Sequence, residues 1–489
     1  LISAAIPNFT AALAEVIVTL GILAEVIASV WLRQNAQRSL FYGAMAIVTV
    51  ALGALFWQLG HTGVSFGEQY MNDFFTLTTK AFVLAITLVA IYLMHFTAAG
   101  DETPQNELPI LVLTSLLGMM LMVSANNMLI LFLGIELQSL SIYTLVAIRR
   151  HNIYSHEAAL KYFILGALST GFMLYGISFI YGLTGTLSFD ALHRFFKAST
   201  FVGFNHITPY IGLFFVLAGL AFKVAAVPFH FWVPDVYQGS PTTVVTFVAT
   251  APKFAGLAVM VQLLAVPFLG AAKVWGTLLA VMAVGSMFVG ATAALVQTNI
   301  KRLMAYSSIG QVGFSLLGLA VANEQGAQSA LAYMGLYTLT LLGFFGILLH
   351  VKRRGLKVRE LKDLGAISTH CPYSAIGLGI LLLSMAGVPP LPGFLTKLYV
   401  LQGAMAFNHY TLAFLGVIYS VIAVGYALIL LKALFFDKTE GTSAAPKPYL
   451  LGMNLVLIAL IGLMALLLWD PAILFDITTQ SSGALFFER

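Results

Sequence analysis

Five ionisable residues lie inside stretches otherwise fit only for lipid: Glu136, Lys161, Lys223, Lys253 and Lys397. A charge at the bilayer centre costs about 2.5 kcal/mol or more, so residues of this kind mark ion pathways. Glu136 is thirteen residues from Arg149, about 20 Å along a helix, which sets it near mid-membrane. Lys223 stands five residues before Pro228, and Lys253 twelve residues after Pro241, about 18 Å deep. Neither can snorkel to an interface from there. A lysine held beside Glu136 would keep its proton, and would release it when the carboxylate withdrew. Lys397 follows Pro392-Gly-Phe-Leu-Thr and takes the place of an outlet-side proton site. Each residue also has a plainer reading. Glu136 could bond a neighbouring serine, Lys223 and Lys253 could tether the carbonyls of a broken helix, and Lys397 could anchor the chain near the outer interface.

The remaining candidates divide more evenly between transport and structure. Glu157 and Lys161 form an i,i+4 pair in the favoured order, as fit for an interfacial pair as for proton transfer. His230 lies within reach of a helix break, and its ordinary pKa suits proton exchange. Lys80, seven residues from Asp73, reads as a helix-end pair. Glu25 reads as a residue that snorkels or faces a partner.

Positioning such residues is the task of an integral membrane protein. The chain has 489 residues, 60% hydrophobic and 9% charged, with mean hydropathy +0.94, where soluble domains carry about 25% charge. The net charge of +5 is no nucleic-acid signal, because the basic residues are scattered or sit in loops. Cys371 is the only cysteine, which excludes an internal disulfide and a cysteine-ligated iron–sulfur cluster. The apolar runs show no two-residue alternation, which argues against a membrane barrel. Fourteen helical spans are read, at 9–32, 39–60, 74–96, 107–124, 127–147, 157–182, 207–231, 241–265, 272–296, 302–322, 327–350, 373–408, 411–434 and 449–469. The twelfth is too long for one crossing and holds Pro389, Pro390 and Pro392. The seventh ends in Val227-Pro228-Phe229-His230. Both are expected to break, their freed backbone groups satisfied inside protein.

Ala225-Ala226-Val227-Pro228 is echoed by Ala386-Gly387-Val388-Pro389, five helices later. The odd offset makes the two copies upside down to one another, as in transporters with midplane sites. The expected organisation is an N-terminal three-helix segment (1–106), a first five-helix repeat (107–265, helices 4–8), a second, inverted repeat (272–435, helices 9–13) and a C-terminal helix and tail (436–489). Fourteen Lys and Arg residues fall in loops on one side and four (Arg194, Lys197, Lys273 and Arg489) on the other. By the positive-inside rule both termini face outward.

At the segments Gly134-Ile-Glu-Leu-Gln-Ser-Leu-Ser-Ile-Tyr-Thr144, Phe222-Lys-Val-Ala-Ala-Val-Pro-Phe-His-Phe-Trp-Val-Pro-Asp-Val-Tyr-Gln-Gly-Ser-Pro241, Gln297-Thr-Asn-Ile-Lys-Arg-Leu-Met-Ala-Tyr-Ser-Ser308 and Met385-Ala-Gly-Val-Pro-Pro-Leu-Pro-Gly-Phe-Leu-Thr-Lys397, the chain resembles a family of antiporter-like membrane subunits. These belong to bacterial NADH:quinone oxidoreductase, respiratory complex I, and the match is to the subunit N branch rather than L or M. The resemblance runs from about residue 107 to 435. It implies a proton channel in which Glu136, Lys223, Lys253 and Lys397 match the glutamate and lysines of helices 5, 7, 8 and 12, and Lys161 a lysine opening helix 6. Many relatives carry a histidine where this chain has Gln311, which can organise water but not exchange protons.

The resulting expectation is a multi-pass subunit of the bacterial inner (plasma) membrane, moving protons along Lys223, Lys253 and Lys397, with Glu136 setting the charge of Lys223. Its partners would be the other membrane subunits of complex I, including a paralogous antiporter-like subunit, and lipid. No cofactor is expected on this chain; flavin and iron–sulfur clusters are expected in other subunits. An Mrp-type cation/proton antiporter subunit is the alternative, and a non-pumping scaffold a further rival.

Overall fold

The computed structural model describes residues 9–31, 36–60, 62–97, 106–198, 208–353, 358–437, 451–470 and 472–486. Of the basic residues used to assign sides, Arg33, Arg354, Lys357, Lys438, Lys447 and Arg489 lie outside them. The described chain is helical except for a two-strand hairpin, Gly63–Ser65 against Tyr70–Asn72. Among the described residues ten helical spans are long and apolar enough to cross a membrane, from Leu13–Trp31 to Tyr410–Phe435, with the interrupted stretch Thr242–Ala265 counted as one. Glu107–Val123, Thr208–Val224 and Pro372–Ala386 are shorter apolar helices. Helix is the outcome such runs must have, since lipid offers no partner to a free N–H or C=O. Asparagines open three of them. The side chain of Asn127 accepts from the Leu129 N–H, that of Asn152 from Tyr154 and Ser155, and that of Asn299 from Arg302, satisfying donors that a helix start leaves unpaired.

Close packing of helix hairpins sets the scaffold. A Cβ on Gly118 would collide with the backbone nitrogen of Gln138, and one on Gly290 with that of Gly310. The helices Glu107–Val123 and Met128–Val146 therefore touch backbone to backbone, and so do Ala272–Leu295 and Ile300–Ala320.

Both expected breaks are present, and a third was not anticipated. The helix Thr208–Val224 ends one residue beyond Lys223, and Ala225 takes a left-handed conformation (φ 68°). The helix Pro372–Ala386 ends at Gly387 (φ 83°), and the chain resumes as the helix Pro392–Ala406. The span read as continuous over 241–265 is two helices, Thr242–Val248 and Ala251–Ala265. Pro252 accounts for this, having no N–H and a ring that crowds the carbonyl four residues earlier. Among the elements that escaped the sequence reading are the hairpin, the short helices Trp232–Gly239 and Gly365–His370, the final helix Ala472–Phe486 and the amphipathic helix Phe189–Ala198. The last buries Phe189, Leu192 and Phe196, with Phe196 5.1 Å from the Phe268 ring.

Two expectations about charged residues of the N-terminal segment are corrected. Lys80 does not pair with Asp73. It is fully buried, 2.7 Å from the Glu15 carboxylate, and donates to the Tyr70 hydroxyl at 2.7 Å. Asp73 instead accepts from the Thr76 N–H at 2.8 Å and caps the helix Phe74–Thr97. A carboxylate in contact offsets the cost of burying an ammonium, and for Lys80 the neighbouring helix Leu13–Trp31 brings one. Glu25 does not snorkel either, being buried with its carboxylate against Gly43.

Candidate functional site

Lys223, Lys253 and Lys397 are all buried, and among the described residues none of them forms an ion pair. Each ammonium is met by a neutral group. Lys223 Nζ donates to Ser139 Oγ at 2.6 Å, Lys253 Nζ to Ser308 Oγ, and Lys397 Nζ to the Ala386 carbonyl at 2.8 Å. Aromatic faces complete the surroundings. Lys253 Nζ is 5.1 Å from the Tyr237 ring centre, and Lys397 Nζ is 6.0 Å from Phe314 and 5.9 Å from Tyr419, distances at which a ring attracts a cation.

The breaks position two of these lysines. At the first, the freed backbone is taken up by other helices: the Val227 N–H donates to Ser286 Oγ at 2.8 Å, and Trp232 Nε1 to the Phe222 carbonyl at 3.0 Å. At the second, Lys397 itself satisfies the exposed carbonyl of Ala386, at the C-terminus of a helix whose dipole favours a cation. Gly387 is needed for that approach. Its φ is in the left-handed region, and a Cβ there would stand 2.8 Å from Lys397 Cδ. The anchor reading of Lys397 fails, because the side chain turns into the protein and is 4% exposed.

Glu136 and Lys223 do not form a direct pair. Glu136 is half-buried, its Oε1 without a hydrogen-bond partner, while Lys223 bonds Ser139, three residues further along the helix of Glu136. The two remain electrostatic neighbours, linked through one turn of helix rather than by contact.

Lys161 is at the rim, not in the interior. Its side chain is 45% exposed and pairs with Glu157 at 2.8 Å, as its spacing indicated. It also pairs with Asp235 at 2.8 Å, and Asp235 takes Arg302 Nη1 at 2.7 Å. Burial works to raise the Asp235 carboxyl, but the hydrogen bonds from Lys161 and Arg302 outweigh it and hold it below its ordinary value. Beside this cluster Lys301 Nζ donates to the carbonyls of Gln238 and Ser240, at 2.9 and 2.7 Å. His230 is buried with its ring 4.4 Å from that of Phe231, and no hydrogen bond joins it to Lys223 or Lys253.

A polar chain runs from Lys253 toward Lys397. Next to Ser308, the Ser307 hydroxyl donates to Tyr426 Oη at 3.1 Å, and Gln311 Nε2 donates to the same oxygen at 3.0 Å. Tyr333 Oη donates to Gln311 Oε1. Gln311, Tyr333, Thr396 and Lys397 then line one cavity of about 10 Å³, close to the smallest that admits a water. Of these residues the sequence singled out the lysines and Gln311. Ser307 and Ser308 stood in a quoted motif without a role, and Tyr333 and Tyr426 gave only the faint signal of hydroxyls in apolar runs.

A membrane bundle with broken helices and unpaired buried lysines defines an antiporter-like class, and comparison with known proteins agrees. The family model described as NADH:quinone oxidoreductase/Mrp antiporter, transmembrane, matches residues 125–423. The chain belongs to this family. Within it, the chain is 41% identical over 454 residues to NADH-quinone oxidoreductase subunit N of Paramagnetospirillum magneticum, 91% of each sequence. A chain of respiratory complex I from Thermus thermophilus matches in structure with a TM-score of 0.78 at 30% identity, over 95% of this chain and 98% of that one. A chain of the Mrp complex from Dietzia sp. has a TM-score of 0.84 at 18% identity, covering 98% of each, a likeness of fold alone. The resemblance to subunit N read from the sequence is borne out.

Proposed function

We propose that this chain is the proton-translocating membrane subunit of an NADH:quinone oxidoreductase that corresponds to subunit N. The observation that carries the mechanism is the row of buried lysines bonded only to neutral groups, with the hydrogen-bonded set Ser307, Tyr426, Gln311 and Tyr333 between the Ser308 partner of Lys253 and the cavity at Lys397. A lysine can exchange its proton where an arginine cannot, and hydroxyls and water pass protons between such sites. Protons enter from the inner side, move along Lys223 and Lys253, and leave past Lys397. Glu136 acts on Lys223 through the turn that carries Ser139. Its half-exposed face suits contact with a paralogous membrane subunit. Lys161 and His230 stand nearer the inner rim and the first break, as entry groups.

Each proton moved against 100 mV requires about 2.3 kcal/mol, which comes from redox chemistry in other subunits, where flavin and iron–sulfur clusters belong. Fourteen crossings are supported by the ten long spans, with the three shorter apolar helices and Leu451–Trp469 read as the other four. The matching glycine contacts of helices 4 with 5 and 9 with 10 support two inverted five-helix repeats. The location is the bacterial inner membrane, with both termini outside. The Mrp-type alternative shares the family model and the fold, whereas the closer sequence likeness is to subunit N, 41% identical against 18% for the Mrp chain. Glu136→Ala and Lys223→Ala test the reading: each should leave the complex assembled and lower both pumping and coupled redox turnover. Normal pumping in both assembled variants would remove the channel.

A further inference from the structure

We propose that protons leave the molecule along the seam between the helices Glu324–Arg353 and Pro392–Ala406, with Glu324 as the last acceptor at the outer mouth. The inference rests on the relay reading above and extends it past Lys397. Both helices line the cavity shared by Lys397, Thr396 and Tyr333. Toward the start of the first helix, the end opposite the basic loop, Tyr399 Oη donates to Gln328 Oε1 at 2.9 Å, and Gln328 Nε2 donates to Glu324 Oε1 at 2.8 Å. Gln328 is buried and Glu324 half-buried, so the row runs from the interior to the edge of the protein.

Two further features fit a path rather than a packing accident. Gly403, one turn beyond Tyr399, leaves the seam loosely filled: a Cβ there would find its nearest neighbours at 3.9 Å on Gln325 and 4.0 Å on Ser329. The final helix, Ala472–Phe486, roofs the row. Its Phe475 ring lies 4.6 Å from that of Tyr399, and Ser481 is 2.8 Å from Thr78 on the neighbouring helix Phe74–Thr97. Polar groups facing lipid would be costly, and this helix covers them with protein.

The Lys397 ammonium gives its proton to water in the cavity and becomes a neutral amine. The proton crosses about 13 Å, the rise from Tyr333 to Glu324, on water held by Thr396, Tyr399 and Gln328. The Glu324 carboxylate accepts it and passes it to the outer solution. Tyr399 and Gln328 carry no net proton; they position the acceptor and its water.

The test uses the assembled complex in sealed vesicles, comparing Glu324→Gln, Glu324→Asp, Gly403→Leu and Lys397→Arg. Glu324→Gln should slow pumping roughly tenfold, less than complete loss of a proton-transfer group because water can partly replace it. Its pumping rate should also lose the dependence on outer pH that Glu324→Asp keeps, a change no purely structural role would produce. Gly403→Leu, by closing the gap, should slow pumping as well. Full pumping with an unchanged pH profile in Glu324→Gln, while Lys397→Arg is impaired, would overturn the exit and leave the relay standing. Full pumping in Lys397→Arg too would remove the relay, and this exit with it.

Discussion

Lys253 and Ser308 meet across two helices, the ammonium on the helix Ala251–Ala265 donating to a hydroxyl on the helix Ile300–Ala320. Among the described residues no carboxylate shares the contact. The charge is therefore held by dipoles and the Tyr237 ring. Movement of one helix against the other would alter that hold, as the proposed relay requires.

Ser308→Ala should weaken that hold. A hydrogen bond to a buried charge is worth about 1.5–3 kcal/mol, or roughly tenfold or more in the proton equilibrium of Lys253. Coupled pumping should fall several-fold with assembly intact, and Ser308→Thr, which keeps the hydroxyl, should restore most of it. Equal rates in Ser308→Ala and the parent would show that the contact does not govern the proton.

Lys80 and Glu15 predict the opposite pattern. Breaking a buried ion pair by removing one partner costs about 3–5 kcal/mol. Lys80→Ala should therefore lower the melting temperature and the yield of assembled complex, while the complex that does assemble pumps at the parent rate. Normal thermal stability with reduced pumping would move Lys80 from the scaffold into the relay.

Topology follows from charge. Single cysteines at Lys362 and Lys197, in a background with Cys371 replaced, should label from opposite sides: Lys362 from the inner solution and Lys197 from the outer. Labelling of the Lys362 position by an impermeant reagent added outside would invert the assignment.

Much of this architecture was legible because lipid imposes strict rules on a chain. Runs of apolar residues must be helices, prolines at 228 and 389–392 must interrupt them, and lysines in their midst must be held by something. What holds them was not legible. Lys80 finds Glu15 from 65 positions away, and Lys253 finds Ser308 on another helix, relations that only packing creates. Pro252 carried a readable signal for the third break, but it lay in a run hydrophobic enough to pass for one span. Glu136 and Lys223 looked like a pair by depth, yet depth does not fix azimuth, and Lys223 bonds Ser139 instead. The Asp235 cluster was similarly hidden: Lys161, Asp235 and Arg302 lie in three separate segments that the folded chain gathers at one rim.

The central claim is that the buried lysines work by exchanging protons, and Lys397→Arg tests it most directly. Arginine keeps the charge and the donors to the Ala386 carbonyl, but its pKa is above about 12 and it does not deprotonate in a protein. Proton pumping by the assembled complex in sealed vesicles should fall to near the level of Lys397→Ala, with both variants assembling normally. Pumping by the arginine variant at the parent rate would contradict the account, because charge alone at this position would then suffice.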